Sequence, residues 1–162
     1  MISSNKVAAH ELACMYNSAD FTVNISDAEG FGLSTLESLS CGTPIIVNMT
    51  GGLQEQVTDG ENWFGFGIEP ASKAIIGSLD VPYIYEDRIS QKDFTKAIKS
   101  AVNVSPKTYK KMSIQGRAHV KDNYNFDNYE KQWVKIMDKI VEKHGSWETR
   151  RGYERWHLLE VA

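Results

Sequence analysis

The sequence predicts an α/β domain of the doubly wound class, in which helices cover a parallel sheet. Segments with helical periodicity alternate with short segments rich in apolar and β-branched residues, at 21–25 and 45–47. Glycine, proline and small polar residues separate these segments. Strands that alternate with helices and are apolar along their length are typical of parallel sheets buried on both faces.

The first part of the chain gives the clearest alternation. Residues 5–18 carry apolar side chains at helical spacing, and the strand at 21–25 follows. A new helical stripe begins at Leu33, and the turn at 42–44 ends it. Residues 45–47 form a buried strand, and the turn at 50–52 opens a short helix that ends near Val57. The predicted order is helix, strand, helix, strand, helix.

The second part is mostly helical. We interpret residues 63–87 as an insertion that ends in a strand at Pro82–Tyr85. Apolar spacing predicts helices around 94–102, after Ser105-Pro106, and over Tyr129–Lys143. We expect residues 1–145 to form one domain and residues 146–162, with Trp147, Tyr153 and Trp156, to form a separate tail.

Composition excludes several function classes. The chain has 162 residues, a formal net charge of -3 and dispersed lysines and arginines, so no positive field is available for nucleic acid or an anionic membrane. No stretch approaches the run of about 20 apolar residues that a membrane span needs. Cys14 and Cys41 belong to no paired pattern, and we expect both to be buried, reduced thiols. We therefore predict a cytoplasmic protein with a small-molecule partner.

The segment Ser26-Asp-Ala-Glu-Gly-Phe-Gly-Leu33 carries the chemistry. Gly30 and Gly32 lie between a strand end and a helix start, where small residues let a ligand approach backbone N–H groups and the positive end of a helix. Gly51 and Gly52 follow the next strand, and ligands of open α/β sheets bind at the carboxyl ends of strands. We expect both glycine loops to line one crevice, with the helix starts at Gly32 and Gly52 facing a diphosphate.

Two glutamates accompany this loop. Glu37 follows Glu29 by eight residues, and the helical rise would place them roughly 12 Å apart, with Glu37 two turns along the helix. The two carboxylates of a glycosidase stand about 5 to 9.5 Å apart, so the spacing argues against such a hydrolase. It suits an elongated ligand, in which one carboxylate accepts hydrogen bonds from sugar hydroxyls and the other from a ribose diol.

These residues resemble a known family. The run Glu-Gly-Phe-Gly-Leu at 29–33, then Glu37, Cys-Gly-Thr-Pro-Ile-Ile-Val at 41–47 and Gly51-Gly52 with Glu55 are similar to the retaining glycosyltransferases of GT-B fold, the glycosyl transferases group 1. The five-residue run would occur by chance on the order of once per million starts. The resemblance implies a partial Rossmann-like sheet with flanking helices and a helical C-terminus, the C-terminal domain of a GT-B fold.

The resemblance also implies roles for the residues. Glu29 matches the first glutamate of the family's Glu-x7-Glu signature and would contact the donor sugar near the reacting carbon, as the catalytic residue. The backbone of Gly30, Phe31, Gly32 and Leu33 would meet sugar and phosphate, and Glu37 would hold the ribose. The donor would be a UDP-, GDP- or ADP-sugar, transferred with retention of configuration, and we expect neither a metal nor a cofactor.

The resemblance has departures. Family members carry a Gly-Arg…Lys-Gly stretch that neutralises the diphosphate and would precede Met1, and an N-terminal domain that binds the acceptor. We expect this chain to be a partial site, inactive by itself, with residues 146–162 resembling the crossover back to that domain. Reading the coding sequence upstream of Met1 would test this expectation.

Two other classes of function stay open. GT-B folds also host sugar-nucleotide epimerases and phosphorylases, although those relatives lack the Glu-Gly-Phe-Gly-Leu run. A non-catalytic binding module that keeps the fold without the reaction is the other alternative.

Overall fold

The structure is a computed structural model and describes residues 6–151. Its main sheet contains β1 (Thr22–Asn24), β2 (Ile45–Asn48) and β3 (Gly65–Ile68), all parallel, with β2 in the centre. All four residues of β2 are buried, as expected for a strand covered on both faces. The carboxyl ends of the three strands therefore meet at one edge of this sheet.

Six helices lie within residues 6–151. They are α1 (Ala9–Asn17), α2 (Leu33–Ser40), α3 (Leu53–Val57), α4 (Gln91–Val102), α5 (Pro106–Asn123) and α6 (Phe126–His144). One core cluster joins Ile46 and Ile68 of the sheet to Ala97 and Ala101 of α4. Helix α3 contacts β2 and β3, and its residues Leu53, Gln56 and Val57 are fully buried.

A two-stranded hairpin follows β3. Its strands β4 (Ser72–Ile76) and β5 (Ile84–Arg88) pair in antiparallel fashion and form a separate sheet. Large apolar side chains at the tip of the hairpin are exposed, Leu79 completely so. The base of the hairpin, at Asp87 and Arg88, contacts the loop after β1, as described below.

The chain divides into two compact units. The first ends at Asp122, and the second begins at Asn123 and contains α6. The predicted tail is described only as far as Arg151, so Tyr153 and Trp156 lie outside the described residues. Trp147 is exposed, and the guanidinium of Arg150 lies 3.6 Å from the centre of its ring.

The α/β class and the order of the first five elements are confirmed, and three details are corrected. The segment 63–87 is not simply an insertion, because β3 within it is the third strand of the main sheet. The strand expected at Pro82–Tyr85 is β5, which begins at Ile84 and pairs with an unpredicted β4. Cys14 is exposed and Cys41 is half-buried, whereas both were expected to be buried, and both are free thiols.

Candidate functional site

Two loops leave the carboxyl edge of the main sheet side by side. Residues 25–32 connect β1 to α2, and residues 49–52 connect β2 to α3. Asn48, fully buried at the end of β2, donates from Nδ2 to the carbonyl oxygens of Ser26 at 2.9 Å and Asp87 at 3.0 Å. One side chain thus ties the first loop and the base of the hairpin to the end of the central strand.

The loop at 49–52 packs beneath the loop at 25–32. The N–H of Gly52 donates to the Gly30 carbonyl at 3.2 Å. A Cβ atom at Gly51, whose φ is +48°, would lie 1.6 Å from the Glu29 carbonyl oxygen, and one at Gly52 would lie 2.7 Å from that of Phe31. This backbone contact alone requires both glycines, so their contact with a ligand stays a prediction.

A hydrogen bond turns the Phe31 carbonyl of the loop toward α3. Gln56 on α3 donates from Nε2 to the Phe31 carbonyl, whereas the Gly32 carbonyl accepts from the Leu36 N–H of α2 at 3.3 Å. In a trans peptide the C=O and the following N–H point in opposite directions. The N–H of Gly32 is therefore directed away from Gln56 on α3, and the N–H of Leu33 belongs to the first turn of α2.

The start of α2 has no side-chain cap. Its N-cap residue is Gly32, with φ 84° and ψ 61°, and within residues 6–151 no side-chain cap hydrogen bond is formed at this end. By contrast, Ser90 and Asn125 supply side-chain caps to α4 and α6. The first N–H groups of a helix lack intrahelical partners and carry partial positive charge. The N-terminus of α2, at the carboxyl edge of the sheet, therefore lacks a side-chain cap for these groups.

The outward side of the loop is accessible. A Cβ built on Gly30 meets no heavy atom within 4 Å, unlike the equivalent atoms at Gly32, Gly51 and Gly52. Phe31 and Leu33 are 49% and 68% exposed, and Gly32 itself is buried. Gly30 is thus the glycine at which a ligand could approach the backbone most closely.

Glu37 lies on the exposed surface of α2 and has a defined partner. Its Oε2 accepts a hydrogen bond of 3.0 Å from the hydroxyl of Tyr16 on α1. Burial, and then the neighbouring Glu37 carboxylate, raise the pKa of Tyr16 to about 12. The tyrosine therefore stays a neutral donor at physiological pH and orients the carboxylate, whose other oxygen can accept from a ligand.

The structure changes the relation between the two glutamates. Because α2 begins at Leu33, Glu29 precedes the helix and Glu37 lies about one turn inside it, not two turns along it. The backbone of Glu29 packs on Gly51, while its half-buried side chain belongs to the outer part of the loop. The two carboxylates therefore flank the open N-terminus of α2 in sequence, and the distance estimated from helical rise does not apply.

The charged groups beside this loop pair with one another. Arg88 at the base of the hairpin contacts the carboxylates of Asp27 and Glu86, and the N–H of Asp87 donates to the Asp27 carbonyl at 2.7 Å. The loops at 25–32 and 49–52 contain no lysine or arginine. Any anion at the start of α2 is therefore held mainly by backbone dipoles of this part of the chain.

Four residues of this site escaped the sequence analysis: Tyr16, Thr35, Asn48 and Gln56. The sequence does contain a signal for the two buried amides, Asn48 and Gln56, since each is a polar residue at a position where the pattern of the strand or helix calls for an apolar one. Asn48 ends the apolar run of β2, and Gln56 lies between the buried positions Leu53 and Val57 on α3. Buried polar groups of this kind need hydrogen-bond partners, which marks them as organisers of nearby backbone.

Two findings concern what the described residues lack. Among residues 6–151, no group of three His, Cys, Asp or Glu side chains is arranged to hold a metal ion. No helix in this part of the chain is both long enough and apolar enough to cross a membrane.

The fold and the site together define an α/β domain with an uncapped helix N-terminus at the carboxyl edge of a parallel sheet. Residues 3–119 match the family described as "Glycosyl transferases group 1". The match covers well over half of the chain, and the chain belongs to this family.

Individual relatives agree with the family. The chain is 53% identical over 51 residues to D-inositol 3-phosphate glycosyltransferase of Streptosporangium roseum, covering 32% of this chain and 12% of that protein. It is 34% identical over 91 residues to the protein of the same name from Arthrobacter sp. strain FB24, covering 56% and 21%. The chain thus spans only a minor part of the length of these relatives.

A solved structure supports the fold. Sucrose-phosphate synthase from Thermosynechococcus elongatus superposes with a TM-score of 0.61 and 24% sequence identity, over 82% of this chain and 28% of that one. The similarity shows that the chain has the architecture of one part of a GT-B protein.

Proposed function

We propose that this chain is the donor-binding part of a glycosyltransferase that transfers a sugar from a UDP-, GDP- or ADP-sugar to an acceptor with retention of configuration. The observation that carries the proposal is the uncapped N-terminus of α2, beside the accessible Gly30 and between Glu29 and Glu37. Membership of the glycosyl transferases group 1 supplies the reaction class.

The start of α2 would receive the diphosphate. Helix N-termini favour anions because unpaired N–H groups and the helix dipole both face the ligand. The Phe31 carbonyl, held by Gln56, directs the Gly32 amide to that side, and the N–H groups at the start of α2 would stabilise charge that develops on the leaving diphosphate. We propose that transfer proceeds without a metal.

The two carboxylates would hold the two ends of the donor. Glu37, oriented by Tyr16, would accept hydrogen bonds from the ribose diol. Glu29, before the helix, would accept from hydroxyls of the sugar near the reacting carbon. The nucleotide would leave from the face at which the acceptor enters, and a phosphate oxygen would help to accept the acceptor's proton.

Titration of the isotopically labelled chain with UDP, GDP and ADP tests the proposal. We expect saturable shifts of the Gly30, Gly32 and Leu33 amide resonances with at least one of the three, in the millimolar range or tighter. Glu37→Ala should weaken this binding by about 1 to 3 kcal/mol, as expected for a charge-assisted hydrogen bond.

Glu142→Ala, which removes an exposed helical glutamate on α6, is the matched control and should bind like the unmodified chain. Shifts confined to residues far from α2, or equal affinities of the Glu37 and Glu142 variants, would contradict the assignment of this site.

A further inference from the structure

Gln56 is a fully buried polar residue in the midst of apolar neighbours. It lies on α3, and Leu53 and Val57 on the same helix are also completely buried. A buried amide costs free energy unless its donors and its acceptor are paired. An apolar residue of similar size would avoid that cost, so the position calls for a reason.

The contacts of Gln56 supply that reason. Its Nε2 donates to the Phe31 carbonyl, and its Oε1 accepts from the Thr35 hydroxyl, which also contacts the Gly32 carbonyl. Because Thr35 occupies Oε1, the amide is oriented with its N–H₂ group toward the loop. Gln56 therefore joins α3 to the loop before α2 through one defined hydrogen bond.

The peptide group between Phe31 and Gly32 needs such a bond. Rotation of this group mainly changes ψ of residue 31 and φ of residue 32, and glycine accepts φ of either sign. Gly32 has φ +84°. The backbone by itself thus has little preference for the orientation in which the Phe31 carbonyl points toward α3 and the Gly32 N–H points away from it.

We propose that Gln56 is a positioning residue that fixes the orientation of the Phe31–Gly32 peptide and thereby sets the affinity of the α2 N-terminus for the diphosphate of a nucleotide. The inference rests on the proposed donor-binding function. Gln56 touches no ligand in this scheme and acts through the backbone that it holds.

Replacement of Gln56 by methionine tests the role, because methionine keeps a long, unbranched side chain and removes the donor. We expect Gln56→Met to shift the Gly32 and Leu33 amide resonances in the unliganded chain. We also expect it to weaken binding of UDP, GDP or ADP by about tenfold, the effect of one lost hydrogen bond to an oriented group. The loss of nucleotide affinity should be larger than any loss in the fraction of folded chain, which urea unfolding measures.

Gln54→Met is the matched control, since Gln54 lies on the same helix but is exposed. It should leave both the amide resonances and the affinity as they are. A folded Gln56→Met variant with the affinity of the unmodified chain would overturn the inference, as would unchanged Gly32 and Leu33 resonances.

A second pair of variants serves if Gln56→Met does not fold. Thr35→Ser keeps the hydroxyl that orients the Gln56 amide and should preserve binding, whereas Thr35→Val removes it and should weaken binding. Equal affinities of these two variants would also overturn the inference. If the unmodified chain binds none of the three nucleotides, the proposed function fails, and the amide resonances alone decide whether Gln56 holds the peptide.

Discussion

Glycines of the candidate site differ in what they do, and alanine substitutions separate the roles. At Gly51 a Cβ would lie 1.6 Å from the Glu29 carbonyl oxygen, and φ is +48°. A left-handed conformation costs an alanine about 1 to 2 kcal/mol. Overpacking against backbone costs about 1 to 3 kcal/mol more. We therefore expect Gly51→Ala to lower the free energy of unfolding by about 2 to 5 kcal/mol.

Two controls isolate the two contributions. At Gly60 a Cβ meets nothing within 4 Å but φ is +95°, so Gly60→Ala should show the conformational cost alone, about 1 to 2 kcal/mol. Gly30 has neither a close neighbour nor a left-handed φ, so Gly30→Ala should change stability by less than about 1 kcal/mol.

Urea unfolding of the three variants, followed by circular dichroism, gives the comparison. Nucleotide titration of the same variants then measures binding. Gly30→Ala places a methyl group on the accessible side of the loop and should weaken nucleotide binding while leaving stability nearly unchanged. If Gly51→Ala is as stable as Gly30→Ala, the packing of the two loops is not as described, and the reasoning fails.

Further predictions concern titration, turnover and association. Because the pKa of Tyr16 is raised to about 12 from 10, its contribution to stability should be fully present below pH 10 and be lost as the pH rises through 12. Tyr16→Phe should reduce this alkaline fall in urea unfolding measurements, and Tyr109, whose pKa burial also raises, should account for part of the remainder. Hydrogen bonds from the backbone of Asn62 and Glu61 lower the pKa of Asp59 to about 2. The contribution of Asp59 to the free energy of unfolding should therefore be present above pH 3.8 and be lost as the pH falls through 2, and Asp59→Ala should lack this contribution at every pH. In a longer active form, Glu29→Gln should depress turnover far more than nucleotide affinity, and equal losses would contradict its role at the sugar. The chain alone should transfer no sugar from a panel of nucleotide sugars, and acceptor-dependent turnover would refute that expectation.

The sequence predicted elements well where helical periodicity and apolar strands coincide, and poorly where glycine replaces β-branched residues. Strand β3 reads Gly-Phe-Gly-Ile and lacks the usual pattern of a buried strand. The structure explains Gly65, since a Cβ there would lie 1.8 Å from the Ile45 carbonyl oxygen of the neighbouring strand. Because the close approach of the two strands requires glycine at this position, β3 lacks the β-branched pattern by which a sequence predicts a strand.

The hairpin was also beyond sequence reasoning, although one of its strands was expected. Its apolar residues are exposed, so no alternation between a buried and a solvated face marks β4 and β5. What fixes the hairpin is polar and long-range: Asn48 and Asp27 bind the backbone of Asp87, and Arg88 pairs with Asp27. Contacts between residues 39 to 61 positions apart leave no local pattern in the sequence.

The candidate site shows the same division. Its glycines and glutamates stand out in the sequence because they occur together in a short run, yet the run cannot distinguish Gly30, open to a ligand, from Gly51, required by a neighbouring carbonyl. If the ligand is held by backbone N–H groups, then the side chains that matter most are those that orient the backbone. Such residues, here Asn48 and Gln56, come from other elements and bind carbonyls, so only the folded chain identifies them.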